Sequence, residues 1–377
     1  MNYVMLKDVC VIKMGQSPDS NSYNDTGEGV PFFQGNADFG ERYPVTRKWC
    51  SAPTKMATQD DILISVRAPI GAMNYAKEDC CIGRGLAALT PDKSKVSSEF
   101  IFWLLKGKNA ELNSKGTGST FKAIGRKVLE ETKVPKIPLE KQKEFSEILE
   151  RIYGVIQERK EELQKLDDLI KARFVEMFGD PVVHLHKGET VKLDTIADKI
   201  TVGFVGEASN EYVDEGVPYL RTQNVRVNRI DLKGLIYVNE SFHNKNQKSI
   251  IHPGDVVISR VGANRGMAAM VPDSLPEANI ANCLIVGQTD NINSYYLAFY
   301  MNMSFGKRPQ FGASVGSAQG VVNTSILKKW EVYVPDRKLQ DDFFEFSHQV
   351  DKSKVAVQKA LDEAQQLFDS LMQEYFG

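Results

Sequence analysis

Apolar side chains between Glu140 and Gly179 fall at Phe145, Leu149, Ile152, Ile156, Leu163, Leu166, Ile170 and Met177, in steps of three and four. Arg159 and Arg173 occupy the seam positions that break the run. So narrow a stripe predicts one long coiled-coil helix rather than an ordinary surface helix. At ~1.5 Å per residue it would be roughly 57 Å long. Gly179 and Pro181 stand where a C-cap glycine and a helix breaker belong. Such a helix needs a partner, and the chain contains one.

Moving 198 residues on brings the same pattern back. Gln142 and Phe145 become Gln340 and Phe343; Ile152, Leu163, Ile170 and Gly179 become Val350, Leu361, Phe368 and Gly377. Ser347 and Lys354 are the polar interruptions of this second seam. Register held over about forty residues favours an internal duplication over two unrelated amphipathic helices. The duplication reaches beyond the helices. Gly29-Val30-Pro31-Phe32-Phe33 resembles Gly216-Val217-Pro218-Tyr219-Leu220, and Asp61-Ile62-Leu63-Ile64-Ser65 resembles Asp255-Val256-Val257-Ile258-Ser259. Val134-Pro135 and Val334-Pro335 precede the two helices. The expected organisation is a block over 1–139, a spacer helix over 140–179, a block over 180–336 and a spacer helix over 337–377.

Within each block, aliphatic runs entered by an acidic turn residue (Asp61–Val66, Asp255–Arg260) predict buried strands. Ile82 to Leu89 and Ile280 to Val286 are expected as neighbouring strands. Glu99 to Lys106 and Asn293 to Met303 are expected as aromatic-rich helices. Each block is therefore mixed α/β.

Composition narrows the function. No apolar run approaches the ~20 residues of a membrane span, and the N-terminus lacks a basic-then-apolar signal peptide. Five cysteines without C-x-x-C spacing suggest neither a disulfide framework nor a zinc site, which fits a cytoplasmic protein. Net charge is −2, but residues 1–139 carry 19 Lys+Arg against 15 Asp+Glu, residues 180–335 carry 15 against 15, and the two helices are acidic. Positive charge leans towards the blocks, a weak nucleic-acid footprint.

No G-x-x-x-x-G-K-[ST] loop, strand-borne G-x-G-x-x-G or Asn-Pro-Pro-aromatic motif occurs, so no catalytic residues are assigned. His184 and His186 lie in a polar linker after the first spacer, and no metal site is expected. What remains is rich in hydrogen-bond donors beside glycines. The first block offers Gln34, Asn36, Arg42, Arg67, Arg84, Ser119, Thr120 and Lys122. The second offers Arg221, Thr222, Gln223, Asn224, Arg226, Arg260, Asn264, Arg265, Lys307, Arg308, Gln310 and Gln319. Arg and Lys pair with guanine, Asn and Gln pair bidentately with adenine, and glycines let backbone approach phosphates. As a set repeated on two blocks, these residues favour DNA reading over a scaffold without a DNA role.

The chain resembles the specificity subunit of type I restriction-modification enzymes. The resemblance rests on the two Gly-Val-Pro-aromatic starts, the Asp-Ile-Leu-Ile-Ser and Gly-Asp-Val-Val-Ile-Ser-Arg strands, and the Pro-Leu-x-x-Gln-x-x-Phe start of the first spacer. It implies two target recognition domains of similar fold separated by two long antiparallel coiled-coil helices, related by a pseudo-two-fold repeat. Each domain would read half of a split double-stranded DNA sequence. The helices would dock methyltransferase subunits, two per chain, with S-adenosylmethionine on those partners and no cofactor in this chain. A motor-nuclease subunit would join for cleavage. The second spacer departs from the pattern, with Asp336-Arg337-Lys338-Leu339-Gln340 where the first has Pro138-Leu139-Glu140-Lys141-Gln142. The alternative of a recognition fragment from a fused methyltransferase lacks support from any catalytic motif.

Overall fold

The computed structural model describes residues 2–118, 122–181, 188–304 and 322–376. Four helices frame it: α1 (Ser98–Gly107), α2 (Leu139–Phe178), α3 (Ser294–Ser304) and α4 (Arg337–Phe376). The long helices expected from the two apolar seams are α2 and α4, each 40 residues long. The chain divides into two compact units, Met1–Glu162 with Val357–Gly377, and Leu163–Ala356. Both divisions fall inside the long helices.

In the first unit the start of α2 packs on the end of α4. Phe145 stacks on Tyr375 with ring centroids 3.8 Å apart, and Tyr153 meets Phe368 at 6.1 Å. In the second unit the end of α2 packs on the start of α4, with Phe174 edge-on to Phe343 at 5.3 Å. There Lys354, the polar interruption of its seam, bonds to Asp167 at 2.6 Å. In each unit the two helices run antiparallel, so each apolar seam finds the partner it requires.

The sheets follow the duplication. In the first unit β1 (Cys10–Met14), β2 (Val30–Phe33), β3 (Ile62–Ser65), β4 (Met73–Tyr75), β5 (Cys80–Ile82) and β6 (Leu86–Pro91) supply two sheets. One is antiparallel and four-stranded, in the order β1-β6-β3-β4; the other pairs β2 in parallel with β5. In the second unit β7 (Ile200–Val202), β8 (Val217–Leu220), β9 (Val256–Ser259), β10 (Ala268–Met270), β11 (Ala278–Ile280) and β12 (Cys283–Val286) do the same. The order is β7-β12-β9-β10, with β8 parallel to β11. Strands β3 and β9 are buried along their whole length, as their aliphatic runs predict.

One expectation is corrected. Ile82 to Leu89 does not form one strand, nor does Ile280 to Val286. Each run breaks into two strands of different sheets, at Gly83-Arg84-Gly85 in the first unit and at Ala281-Asn282 in the second. Asn282 takes φ +51°, a left-handed turn open to Asn at modest cost.

Equivalent glutamines join sheet domain to long helix within each unit. Gln142 is buried; its side-chain carbonyl accepts from Ser97 N–H at 2.9 Å, and its amide donates to the Lys95 and Ile137 carbonyls. Gln340 accepts from Asn293 N–H at 2.8 Å and donates to the Pro335 carbonyl. Ser97 and Asn293 precede α1 and α3, so each glutamine fixes the start of a domain helix on the start of a long one. All five cysteines are buried and unpaired. Among the described residues no helix is long and apolar enough to cross a membrane.

Candidate nucleic-acid interface

The parallel strand pair in each unit brings two chain exits to the same end of one sheet. In the first unit Phe33 lies opposite Ile82, so Gln34 and Gly83-Arg84 leave side by side. Gly83 N–H donates to the Phe33 carbonyl at 2.8 Å and Gly85 N–H to the Gln34 carbonyl at 3.1 Å. A Cβ at Gly85 would stand 2.5 Å from that carbonyl oxygen, so the approach requires glycine. Ser17 closes the arrangement: its hydroxyl accepts from Gln34 Nε2 at 2.8 Å and from Arg84 N–H at 3.3 Å. The third exit follows β3. Val66 N–H donates to the Gly85 carbonyl, Ser65 Oγ donates to the Arg67 carbonyl, and Ala68 N–H donates to the Lys122 carbonyl. Gln34, Arg67, Arg84 and Lys122 are exposed along these linked loops. Asn36, half-buried, sits in the turn after Gln34, where Asp38 accepts from Gln34 N–H at 2.7 Å.

Arg42 does not join them. Its guanidinium pairs with Glu150 of α2 and lies over the Tyr75 ring, 5.4 Å from the centroid. Ser119 and Thr120 lie outside the described residues.

The second unit repeats the frame with other side chains. Ala281 N–H donates to the Leu220 carbonyl at 2.9 Å, Asn282 N–H to the Phe204 carbonyl at 2.9 Å, and Arg260 N–H to the Asn282 carbonyl at 3.3 Å. Arg221 stands where the first unit has Gln34, and Asn282 where it has Arg84. Arg260 occupies the place of Val66, and Phe204-Val205 that of Gln16-Ser17. Both Arg221 and Arg260 keep a buried Nε without a hydrogen-bond partner. Their charges act on their neighbours: burial pushes the Tyr219 phenol up to about 12 while Arg221 pulls it down. Burial likewise raises the Cys283 thiol against the pull of Arg260.

A second loop folds onto these exits. Asn264 donates to the Thr222 and Val225 carbonyls at 3.0 and 3.1 Å and accepts from Arg226 Nη1 at 3.4 Å. Gln223 is exposed and Arg265 half-buried. Asn224 is 2% exposed, and its amide is spent on Arg221 N–H and the Asp231 carbonyl, which makes it a builder of the turn. Lys307, Arg308, Gln310 and Gln319 lie outside the described residues. The block is neutral overall but carries Arg221, Arg226, Arg260 and Arg265 on these segments. Sequence reading passed over Ser17 and Asn282; the Gly15-x-Ser17-Pro18 turn was the available signal for Ser17.

A family model described as the type I restriction modification DNA specificity domain matches residues 1–167 and 182–364. The chain belongs to that family, that of type I restriction-modification specificity subunits. The putative type I restriction enzyme MjaX specificity subunit of Methanocaldococcus jannaschii is 45% identical over 156 residues, 41% of this chain and 37% of that protein. The MjaVIII specificity subunit of the same organism is 22% identical over 294 residues, 71% of this chain and 68% of that protein. The chain thus spans well under half of the first relative's length and about two thirds of the second's. The crystal structure of the type I restriction-modification system S subunit from M. genitalium shares the fold, with a TM-score of 0.61 at 14% identity. That likeness covers 100% of this chain and 96% of the other.

Proposed function

We propose that residues 1–139 and 180–336 each read one half of a split double-stranded DNA sequence through the loops at their strand exits. The matched hydrogen bonds from Gly83 to Phe33 and from Ala281 to Leu220 carry this reading. One backbone frame, used twice, carries Gln34 and Arg84 in the first unit and Arg221 and Asn282 in the second, where Arg260 also replaces Val66. A frame kept constant while its outward side chains change suits a module that must specify different bases at each site. Gln34, oriented by Ser17, suits adenine; Arg221 and Arg260, beside the strand exits, suit guanine. Arg67, Lys122, Arg226 and Arg265 suit phosphates, which position without specifying.

The helices over 140–179 and 337–377 serve as spacer and as docking site for two methyltransferase subunits, which bring S-adenosylmethionine. A motor-nuclease subunit joins the same assembly for cleavage. The chain supplies the address and its partners the chemistry. Co-expression with a methyltransferase subunit and sequencing of the modified bases tests this: sequence-directed methylation should need both chains. Methyl transfer by this chain alone would overturn it.

A further inference from the structure

Between β8 and β9 the second unit carries a short β-ribbon. Strands Val225–Arg226 and Arg229–Ile230 pair antiparallel, Val225 opposite Ile230 and Arg226 opposite Arg229, around a turn at Val227-Asn228. Side chains alternate between the two faces of such a ribbon. Val225 is buried and Ile230 packs against the same apolar cluster, which leaves both arginines on the opposite face. The turn is pinned from two sides. Asn228, at φ +58°, donates its N–H to the Ala268 carbonyl of β10 at 3.0 Å, and its side-chain oxygen accepts from Asn302 Nδ2 of α3 at 2.6 Å. Asn264 holds the first strand through the Val225 carbonyl.

The outward face of this ribbon is unfavourable in the free chain. Like charges directly opposite on paired strands destabilise the pair, and neither Arg226 nor Arg229 forms an ion pair among the described residues. Arg226 touches only the neutral side chain of Asn264, at 3.4 Å, and Arg229 is exposed. Val227, at the tip between them, is 52% exposed. The first unit treats its own arginine differently. There the chain makes a single bridge from Phe39 to Pro44, and Arg42 inside that loop is paired with Glu150. Two unneutralised cations flanking an apolar tip suit an anionic partner with a groove.

We propose that the ribbon enters the major groove of the second half-site, an assignment that rests on the reading of DNA given above. That groove is about 12 Å wide and admits a two-stranded ribbon, whose strands lie about 4.8 Å apart. Arg226 and Arg229 then meet phosphates at the groove walls, which relieves their mutual repulsion, and Val227 faces the base edges. Arg229 and Val227 thereby join the second reading surface. Because the turn is already fixed on β10 and α3, binding orders little backbone.

The test uses the full-length chain with a methyltransferase subunit and a duplex carrying the two-part target. Arg229→Gln should weaken binding evenly across sequences and reduce the slope of log affinity against log salt by about 1. The free variant should melt no lower than the wild type, since it loses a repulsion. An unchanged slope, or a lower melting temperature, would overturn the proposal. All five native cysteines are buried, so Val227→Cys gives this chain one accessible thiol, at the tip, for a tethered iron chelate that cleaves DNA. Cuts should fall in the second half-site alone, with the strand offset of a source in the major groove. Cuts elsewhere, or with a minor-groove offset, would overturn the assignment. A wild-type complex that binds no two-part target would refute reading by two domains; a wild type that binds one while these tests fail refutes the ribbon alone.

Discussion

Gln142 reaches from the first turn of the first long helix to the backbone of Ser97, accepting its N–H at 2.9 Å inside a site closed to water. Its equivalent Gln340 does the same for Asn293. A buried group that loses its partner bears the full desolvation cost, about 1–3 kcal/mol. Gln142→Ala and Gln340→Ala should each lower stability by that amount in urea titrations. A loss below about 0.5 kcal/mol would mean that water or another group takes over the Ser97 and Asn293 donors.

Ser17 orients Gln34 without belonging to the exposed reading set. Ser17→Ala should leave the fold intact and relax discrimination in the first half-site alone, at about 0.5–1.5 kcal/mol. Affinity measured on a panel of substituted first half-sites checks it. A uniform loss across all sequences would assign Ser17 to general DNA contact.

Cys10 and Cys80 are held at about 12 by burial. A raised thiol pKa favours the protonated, folded form. Its contribution is complete below the unfolded value near 9 and is lost as pH rises from there towards 12. At pH 8 the folded chain should resist thiol reagents and release five reactive thiols only on unfolding. Fast labelling of Cys80 in the native chain would contradict the burial.

Much of this was legible in sequence because periodicity is local. The heptad seams, the duplication, β3 and β9, and the aromatic helices follow from spacing alone. The break at Gly83-Arg84-Gly85 did not, since both flanks are apolar and only pairing with two different sheets separates them. The positions of Arg42 and Asn224 were equally hidden. Whether a polar side chain faces solvent or is spent on Glu150 or Asp231 depends on residues far away in sequence. Gln142 and Gln340 were visible as a repeated pair, but their task needed the geometry.

If spacer length sets the gap between half-sites, one heptad inserted after Glu162 and one after Ala356 should widen that gap. Whole heptads preserve the seam. About 10 Å of added helix corresponds to roughly three base pairs. Both half-sequences should persist in a modified-base map; an unchanged gap in a folded variant would mean the helices are not the ruler.

The most direct test of the central claim is a genome-wide map of modified bases in cells carrying this chain and a methyltransferase subunit, compared with maps for Gln34→Ala and Arg260→Ala. The wild-type map should show a two-part sequence with a fixed gap. Gln34→Ala should relax the first part only and Arg260→Ala the second only, each by about 1–3 kcal/mol of discrimination. A continuous target, or variants that alter both parts together, would contradict two independent reading domains.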